Sequence, residues 1–382
     1  MEKKKIAFVV ATPGSADSFL KEHFRQLKKD YDVTLIANFT LKPESLKKHE
    51  SEGIHCVQAP ILREISIIKD LKALLGLRKI FKCGKFASVH SVTPKAGLLT
   101  SVAGWMARVP NRIHIFTGQV WATRKGVMRW FLRLLDKIIV LFDTVLLVDG
   151  ESQRQFLIKE GVLTESNSVV LAEGSIAGVR IDKFIVSDQI RREQRAKFNF
   201  SDDDIVFVFL GRLNHDKGIG ELYEAFNKLV AECPKAKLLL FGYDEGNYDA
   251  KADLYCNIKR GVNYFYPGPT PTPYESLQAG DVFCIPTWRE GFGMSVIEAS
   301  ALQLPVITSD AYGVLSASVE GVTGMRCKVG DSKSLYLCMK EYYNSPEKRK
   351  AHGRAGRKWV VEKFDNAVVS KAWVEFYHNL LK

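Results

Sequence analysis

Residues 281–301 constrain the fold of this chain more than any other stretch. Asp281-Val-Phe-Cys-Ile-Pro286 is short, apolar and closed by a proline, the pattern of a buried strand, and an apolar helical spacing begins near Met294. Arg289-Glu-Gly-Phe-Gly-Met-Ser-Val-Ile-Glu298 joins the two. The order is strand, glycine loop, helix, the repeating unit of a parallel sheet covered by helices. Gly291 and Gly293 let backbone N–H groups approach a ligand, and the helix start at Met294 and Ser295 carries partial positive charge suited to a diphosphate. Glu290 and Glu298, separated by seven residues, can accept hydrogen bonds from hydroxyls on either side of that anion. Hydroxyls, diphosphate and hydroxyls again describe a nucleotide sugar. An unconnected loop glutamate and helix glutamate share this spacing, so a second element has to support the reading.

That element lies upstream. Ile205-Val-Phe-Val-Phe-Leu210 is a continuous apolar run, followed by Gly211-Arg212-Leu-Asn-His-Asp-Lys217-Gly218 and by a helical pattern over 219–233 with Leu222, Ala225, Phe226 and Leu229 on one face. Arg212 at the strand's carboxyl end and Lys217 in the loop stand over the crevice where open α/β sheets bind ligands. A forked donor and a point charge together stabilise the negative charge that grows on a departing diphosphate. Solvated loop cations are the alternative, which the order of the two elements makes the weaker one.

With both elements in this order, the chain resembles family four of the retaining glycosyltransferases, whose members carry a Glu-x7-Glu element, a Gly-Arg and a Lys-Gly at these places. Gly174-Ser-Ile-Ala-Gly178-Val-Arg-Ile-Asp-Lys-Phe184, Ser309-Asp-Ala-Tyr-Gly313 and Gly321-Val-Thr-Gly324 resemble further loops of that family, with Arg180 where an aspartate is usual. The resemblance implies an α/β GT-B fold: two Rossmann-like domains facing a deep cleft, and a C-terminal helix crossing back to the first. The boundaries expected are an acceptor-binding domain over 1–185, a nucleotide-sugar-binding domain over 186–365 and a crossover helix over 366–382, with a charged helical connector at 185–199. Arg212, Lys217 and Glu290 are then the catalytic group. Gly14, Gly211, Gly291, Phe292, Gly293, Met294 and Ser295 join them around the donor, with Glu290 on the sugar hydroxyls and Glu298 on the ribose. The implied chemistry is retaining and metal-independent, with no cofactor beyond the donor, most plausibly UDP-linked, and with same-face substitution in which the departing phosphate oxygen helps to deprotonate the acceptor. The chain departs from the family where many relatives have a His-Gly: here Ile113-His-Ile-Phe-Thr117-Gly118-Gln119 leaves Thr117 and Gln119 as the acceptor or sugar contacts, and His114 reads as packed or paired.

At 382 residues and 46% hydrophobic content the chain can fill two cores. Its seven cysteines form no Cys-x-x-Cys and read as reduced core thiols of a cytoplasmic protein. The start at Met1 mimics a leader, but its apolar stretch is short and ends at Thr12-Pro13-Gly14, the turn after a first strand. Charge is uneven: residues 1–185 hold 29 Lys plus Arg against 18 Asp plus Glu, residues 186–382 hold 26 against 25, and between Leu71 and Leu135 there are twelve basic residues and no acidic one. Lys125, Arg129, Arg133 and Lys137 recur every four residues beside Trp130, Phe131, Leu134, Leu135 and Ile138, a basic amphipathic helix suited to an anionic membrane surface. An ordinary domain helix with a solvated basic side has the same pattern. A lipid-diphosphate-linked glycan acceptor would need the same cations, and no nucleic-acid-binding motif accompanies them. Asp202-Asp-Asp204 reads as a solvated turn or cap rather than a metal site, and phosphate-loop, dinucleotide and nucleophile-elbow motifs are absent. The alternatives are a nucleotide-sugar epimerase of the same fold, or a non-catalytic basic protein on membranes or nucleic acid. The main expectation is a hexosyl-type transferase of capsule or lipopolysaccharide assembly, peripheral on the inner membrane face.

Overall fold

The structure, a computed structural model, describes residues 3–62 and 66–382, so Met1 and Glu2 of the charged start lie outside it. Two compact units divide the chain, 1–177 with 366–382 and 178–365. The first division thus falls before 185: Val179 N–H bonds the Phe364 carbonyl at 2.7 Å and Phe184 is buried in the second unit's core. The charged connector is the helix Asp188–Ala196, started by Ser187 Oγ accepting from Ile190 N–H, and it too belongs to the second unit.

The first unit's sheet contains, among the described residues, β1 (Lys5–Val9), β2 (Asp32–Ala37), β3 (His55–Gln58), β4 (Ser88–Val92), β5 (Asn111–Phe116), β6 (Val145–Val148) and β7 (Ser168–Val170), in the order β3-β2-β1-β4-β5-β6-β7. All pairs are parallel. Apolar runs such as Ile6-Ala-Phe-Val-Val10 sit with both faces covered, as parallel sheets require. The second unit's sheet contains β8 (Ile205–Leu210), β9 (Ala236–Phe241), β10 (Tyr264–Gly268), β11 (Val282–Ile285), β12 (Val306–Ser309) and β13 (Gly324–Cys327), in the order β10-β9-β8-β11-β12-β13, again all parallel. Each sheet therefore reverses its winding once, at β1/β4 and at β8/β11, and the crevice beyond the strands' carboxyl ends at such a switch point is where doubly wound sheets bind ligands.

The helix Asn366–Leu380 is part of the first unit. Its Trp373 lies flat against His23 (ring centroids 4.2 Å apart) and His90 (4.9 Å), and Tyr377 OH pairs with His90 Nδ1 at 2.9 Å. Both imidazoles are buried, which pushes His23 down to about 4 and His90 well below the usual histidine range, so they pack as neutral rings. All seven cysteines stand free, four of them buried, but Cys83 and Cys256 are exposed, outside the core that the sequence suggested for most of them. No helix among the described residues is long and apolar enough to cross a membrane.

Candidate functional site

The two loops singled out in the sequence leave neighbouring strands at the second sheet's switch point, β8 and β11. After β8, Asn214 caps a single 3-10 turn, His215–Lys217, and Gly218 turns left-handed (φ 69°) into the helix Ile219–Glu232. A Cβ on Gly218 would stand 2.0 Å from the Pro286 carbonyl oxygen, so only glycine lets the loop after β8 lie this close to the loop after β11. Four hydrogen bonds then lock them together. Trp288 N–H and Thr287 Oγ1 both donate to the Asp216 carbonyl (2.8 and 2.7 Å), and Arg289 Nη2 and Nε hold the Asp216 carboxylate at 2.6 and 2.9 Å. Neither Asp216 nor Arg289 stood out in the sequence as a clamp, because adjacent loop charges give no signal of which will pair.

This clamp brings Lys217 and Glu290, 73 residues apart, into a direct ion pair, Nζ to Oε1, with both side chains mostly buried. Burial costs both charges solvation, so each depends on the other to remain ionised there, and removing one would leave its partner buried and unpaired. Arg212 is placed differently. Its Nη1 lies 3.0 and 3.1 Å from the carboxylate oxygens of Glu245, which also accepts from Asn214 Nδ2 at 2.9 Å, on a half-exposed surface. Glu245 was not legible as a site residue; it lies in the loop after β9, where Asp244 accepts from the N–H groups of Gly246, Tyr248 and Asp249 and so shapes the turn.

Beyond Glu290, Gly291, Phe292 and Gly293 are buried, and Gly293 starts the helix Met294–Ala301. Phe292 points inward, with its ring 5.1 Å from that of Phe364, so only its backbone faces the loop's ligand side. Met294 and Ser295 form the first helical turn and are half-buried. Gly313, left-handed at φ 82°, carries the loop after β12 over the Glu290 carbonyl, which a Cβ there would approach to 2.3 Å. Gly211 extends β8, its N–H on the Phe241 carbonyl at 2.9 Å. Glu298 is half-buried by surface, but its carboxyl is enclosed by protein, and that burial pushes it up to about 7. Asp204, the last of the acidic triplet, is buried rather than solvated: its carboxylate takes Ser201 N–H at 2.8 Å and pairs with Lys237 at 3.5 Å.

In the first unit, Gly14 lies inside the helix Pro13–Phe19 rather than in a turn, with open space where its Cβ would stand. At the carboxyl end of β5, Gln119 is 2% exposed and faces Gln153, whose amide donates to the Phe116 carbonyl (3.1 Å) and accepts from Gly118 N–H (2.7 Å); Thr117 is half-exposed. His114 is packed and paired, its Nδ1 2.8 Å from Ser91 Oγ, and burial holds it neutral at about 3. The basic stripe is partly engaged. Arg129 and Arg133 reach Glu160 at 2.7 and 3.5 Å, and Lys125 precedes the helix Gly126–Phe142 as its cap residue.

Comparison with known proteins bears on the family and the fold. The family model for glycosyl transferases of group 1 matches residues 190–359. A capsular polysaccharide biosynthesis glycosyltransferase of Staphylococcus aureus, CapM, is 31% identical over 355 residues, covering 93% of this chain and 92% of that protein. The UDP-Gal:α-D-GlcNAc-diphosphoundecaprenol α-1,3-galactosyltransferase of Escherichia coli is 25% identical over 81% of this chain and 80% of its own length. Among solved structures, Anabaena Alr3699/HepE in complex with UDP and glucose superposes with a TM-score of 0.80 at 16% identity, over 98% of this chain and 99% of that one, which establishes the shared GT-B fold. Because likeness to the staphylococcal protein runs through nearly the whole chain and not only the segment bearing the paired loops, the chain belongs to the group 1 glycosyl transferases.

Proposed function

We propose that the protein transfers a hexose or N-acetylhexosamine from a UDP-linked donor to a lipid-diphosphate-linked glycan during surface-polysaccharide assembly, with retention of configuration and without a metal or other cofactor. The observation that carries this is the Lys217–Glu290 pair at the β8/β11 switch point, with Arg212 in the same loop after β8. Lys217 and Arg212 bind the diphosphate and supply the charge that a divalent ion supplies elsewhere. Backbone donors at Gly293 to Ser295 assist them, Glu290 takes hydroxyls of the donor sugar, and Glu298 takes those of the ribose. In the step, the bond from sugar C1 to the diphosphate oxygen breaks and that from C1 to the acceptor oxygen forms on the same face. The acceptor's hydroxyl proton passes to the departing phosphate oxygen. Support for the acceptor class comes from the E. coli relative, whose name specifies a diphosphoundecaprenol acceptor and a UDP donor. The basic helix Gly126–Phe142 and the excess of Lys and Arg in the first half suit an anionic inner-membrane surface.

The test is to incubate the protein with a panel of nucleotide sugars, with and without a lipid-diphosphate-linked saccharide, and to read the anomeric configuration of the product by NMR. Transfer with retained configuration, unaffected by chelator, is expected. An inverted product, or loss of turnover with chelator, rejects the corresponding part of the mechanism. Interconversion of the donor sugar without any acceptor would favour the epimerase alternative.

A further inference from the structure

The first unit contains a cavity of about 340 Å³ at the carboxyl ends of β4 and β5 that the donor chemistry does not use. Its walls are Leu98 from the helix Pro94–Met106, Phe116 at the end of β5, Trp121, and Phe131, Leu132 and Leu135 from the helix Gly126–Phe142. By comparison, an apolar cavity of about 150 Å³ in a protein core already stays dry and takes up small hydrocarbons. Thr117 and Gln119 line one end of it, at the close of β5, and the polar groups deeper in the wall are turned to partners within the protein. Trp121 Nε1 donates to Asp136 at 2.7 Å, and His114 meets Ser91. A sugar ring here would leave several hydroxyls unpaired, which buried polar groups do not tolerate cheaply, whereas a hydrocarbon chain has none to satisfy.

The mouth has the same character. Val120 and Phe131 line the cavity and are also 41% and 40% exposed. Val127, one turn before Phe131 on the same helix face, is 82% exposed. Across the rim, Asp70 pairs with Lys95 at 2.7 Å, and its helix Ile67–Gly84 exposes Ile67 (84%), Ile68 (72%) and Leu71 (54%). Scattered exposed apolar residues are ordinary, but two helices presenting them around one apolar opening mark a ligand site. The charged groups in the lining are Asp70, Lys95 and Asp136, so an anionic head would be met outside the cavity, by the basic residues of the flanking segment, twelve from Leu71 to Leu135.

We propose that this cavity is a lipid-tail subsite that takes the hydrocarbon nearest the diphosphate of the acceptor, an inference that rests on the lipid-linked acceptor named above. The subsite makes the protein select its acceptor by chain as well as by sugar.

The test titrates the full chain calorimetrically with inorganic phosphate and with butyl, hexyl, octyl and dodecyl phosphate below their micelle concentrations. Affinity is expected to rise about fourfold for each methylene that the cavity buries and to level off once it is filled. Leu98→Trp and Leu135→Trp, which fill the space, should cost dodecyl phosphate at least tenfold in affinity while leaving UDP binding and the response to inorganic phosphate unchanged. Chain-independent binding by the wild type, or unaltered chain dependence in two folded variants, overturns the subsite. A diazirine-tagged alkyl phosphate gives a readout that needs no variant: labelling of 94–99 and 131–136 supports the subsite, and labelling confined to other segments overturns it. The two readings can fail separately. Alkyl phosphates binding in the cavity of a protein that transfers sugar only to chainless acceptors would sink the lipid-linked acceptor and leave the cavity's ligand class standing.

Discussion

The two sheets wind in the same strand order and furnish their carboxyl ends with opposite chemistry. At β8/β11 the loops carry charges, and these charges are already paired: Lys217 with Glu290, Arg289 with Asp216, Arg212 with Glu245. Around β4 and β5 the loops and helices carry Leu98, Phe116, Phe131 and Leu135, and the few polar atoms among them look inward. Topology thus fixes where a ligand can sit, and loop composition fixes what kind. The charged end suits a diphosphate whose negative charge grows during reaction. The apolar end suits a group that is only held.

The sharpest way to break this contrast is to remove the charges. Lys217→Ala and Arg212→Ala are each expected to lower turnover about a hundredfold, since a charged donor lost from a leaving group costs about 3 kcal/mol; melting temperature should hold in Arg212→Ala, whose pair is half-exposed, and fall in Lys217→Ala, which leaves Glu290 without its partner. Near-wild-type turnover in both would show that the charged end does not carry the chemistry. Next in size is the division between the two glutamates. Glu290→Gln should impair use of the donor sugar more than binding of UDP, and Glu298→Gln the reverse; equal UDP affinities in the two variants would reject the division.

Glu298 adds a pH signature. Its folded-state pKa is raised to about 7, so the carboxyl is neutral below that pH, and its contribution to stability is lost as pH rises through about 7. The ionised carboxylate accepts from ribose hydroxyls more strongly than the neutral acid, so affinity for a nucleotide sugar should rise toward pH 7 and then flatten. The donor's doubly esterified diphosphate does not itself titrate there. A flat profile in the wild type, or an unchanged one in Glu298→Gln, would contradict the assignment.

Smaller still is the effect expected at Glu245, the half-exposed carboxylate that occupies Arg212 before a donor arrives. Exposed pairs contribute about 0.2–1 kcal/mol, so Glu245→Gln should tighten UDP binding by up to about fivefold, more at low salt, and weaker binding would show that Glu245 orients Arg212 instead of competing for it. The membrane is tested apart from the donor site. Because Arg129 and Arg133 are tied to Glu160, glutamine at the exposed Lys125 and Lys137 is the cleaner change. It should weaken sedimentation with anionic vesicles at low salt by about 1 kcal/mol per residue without moving the melting temperature. A wild type indifferent to lipid charge would leave the basic face merely solvated.

What was legible follows the same divide. Arg212, Lys217, Glu290 and Glu298 could be read because glycines punctuate their loops and apolar runs flank them, so residue type and local order together pointed to a strand, a turn and a helix. Their partners could not. Asp216, Arg289 and Glu245 are charges among other loop charges, and only the approach of two loops at Gly218 decides which of them meet. The basic stripe over 125–137 was visible at its four-residue spacing, but Glu160, which lies just past the helix Glu151–Lys159 and takes up half of the stripe, was not. The cavity was the least legible feature of all. Leu98 and Phe116 are apolar residues among other apolar residues and Leu135 belongs to the apolar face of the basic helix, and a residue facing an empty space has the same pattern as one facing a neighbour. Gln119 and Gly14 show how little of the surroundings a residue type reveals: the structure sets Gln119 against Gln153 at the wall of the cavity and Gly14 within a helix, neither of which the sequence indicated.

The helix Asn366–Leu380 has a further consequence for synthesis. Its Trp373 and Tyr377 complete a core begun by Phe8, His23 and His90, more than 280 residues earlier in the chain. During translation the unit over 178–365 is a continuous segment and can close as soon as it has emerged, whereas the unit made first must wait, with an open aromatic socket, for the last turns to be made. The usual order of maturation along a nascent chain is therefore reversed. A ribosome that stops short of residue 366 releases a chain whose donor-side sheet is finished and whose other sheet displays Phe8 and two neutral imidazoles to the quality-control machinery.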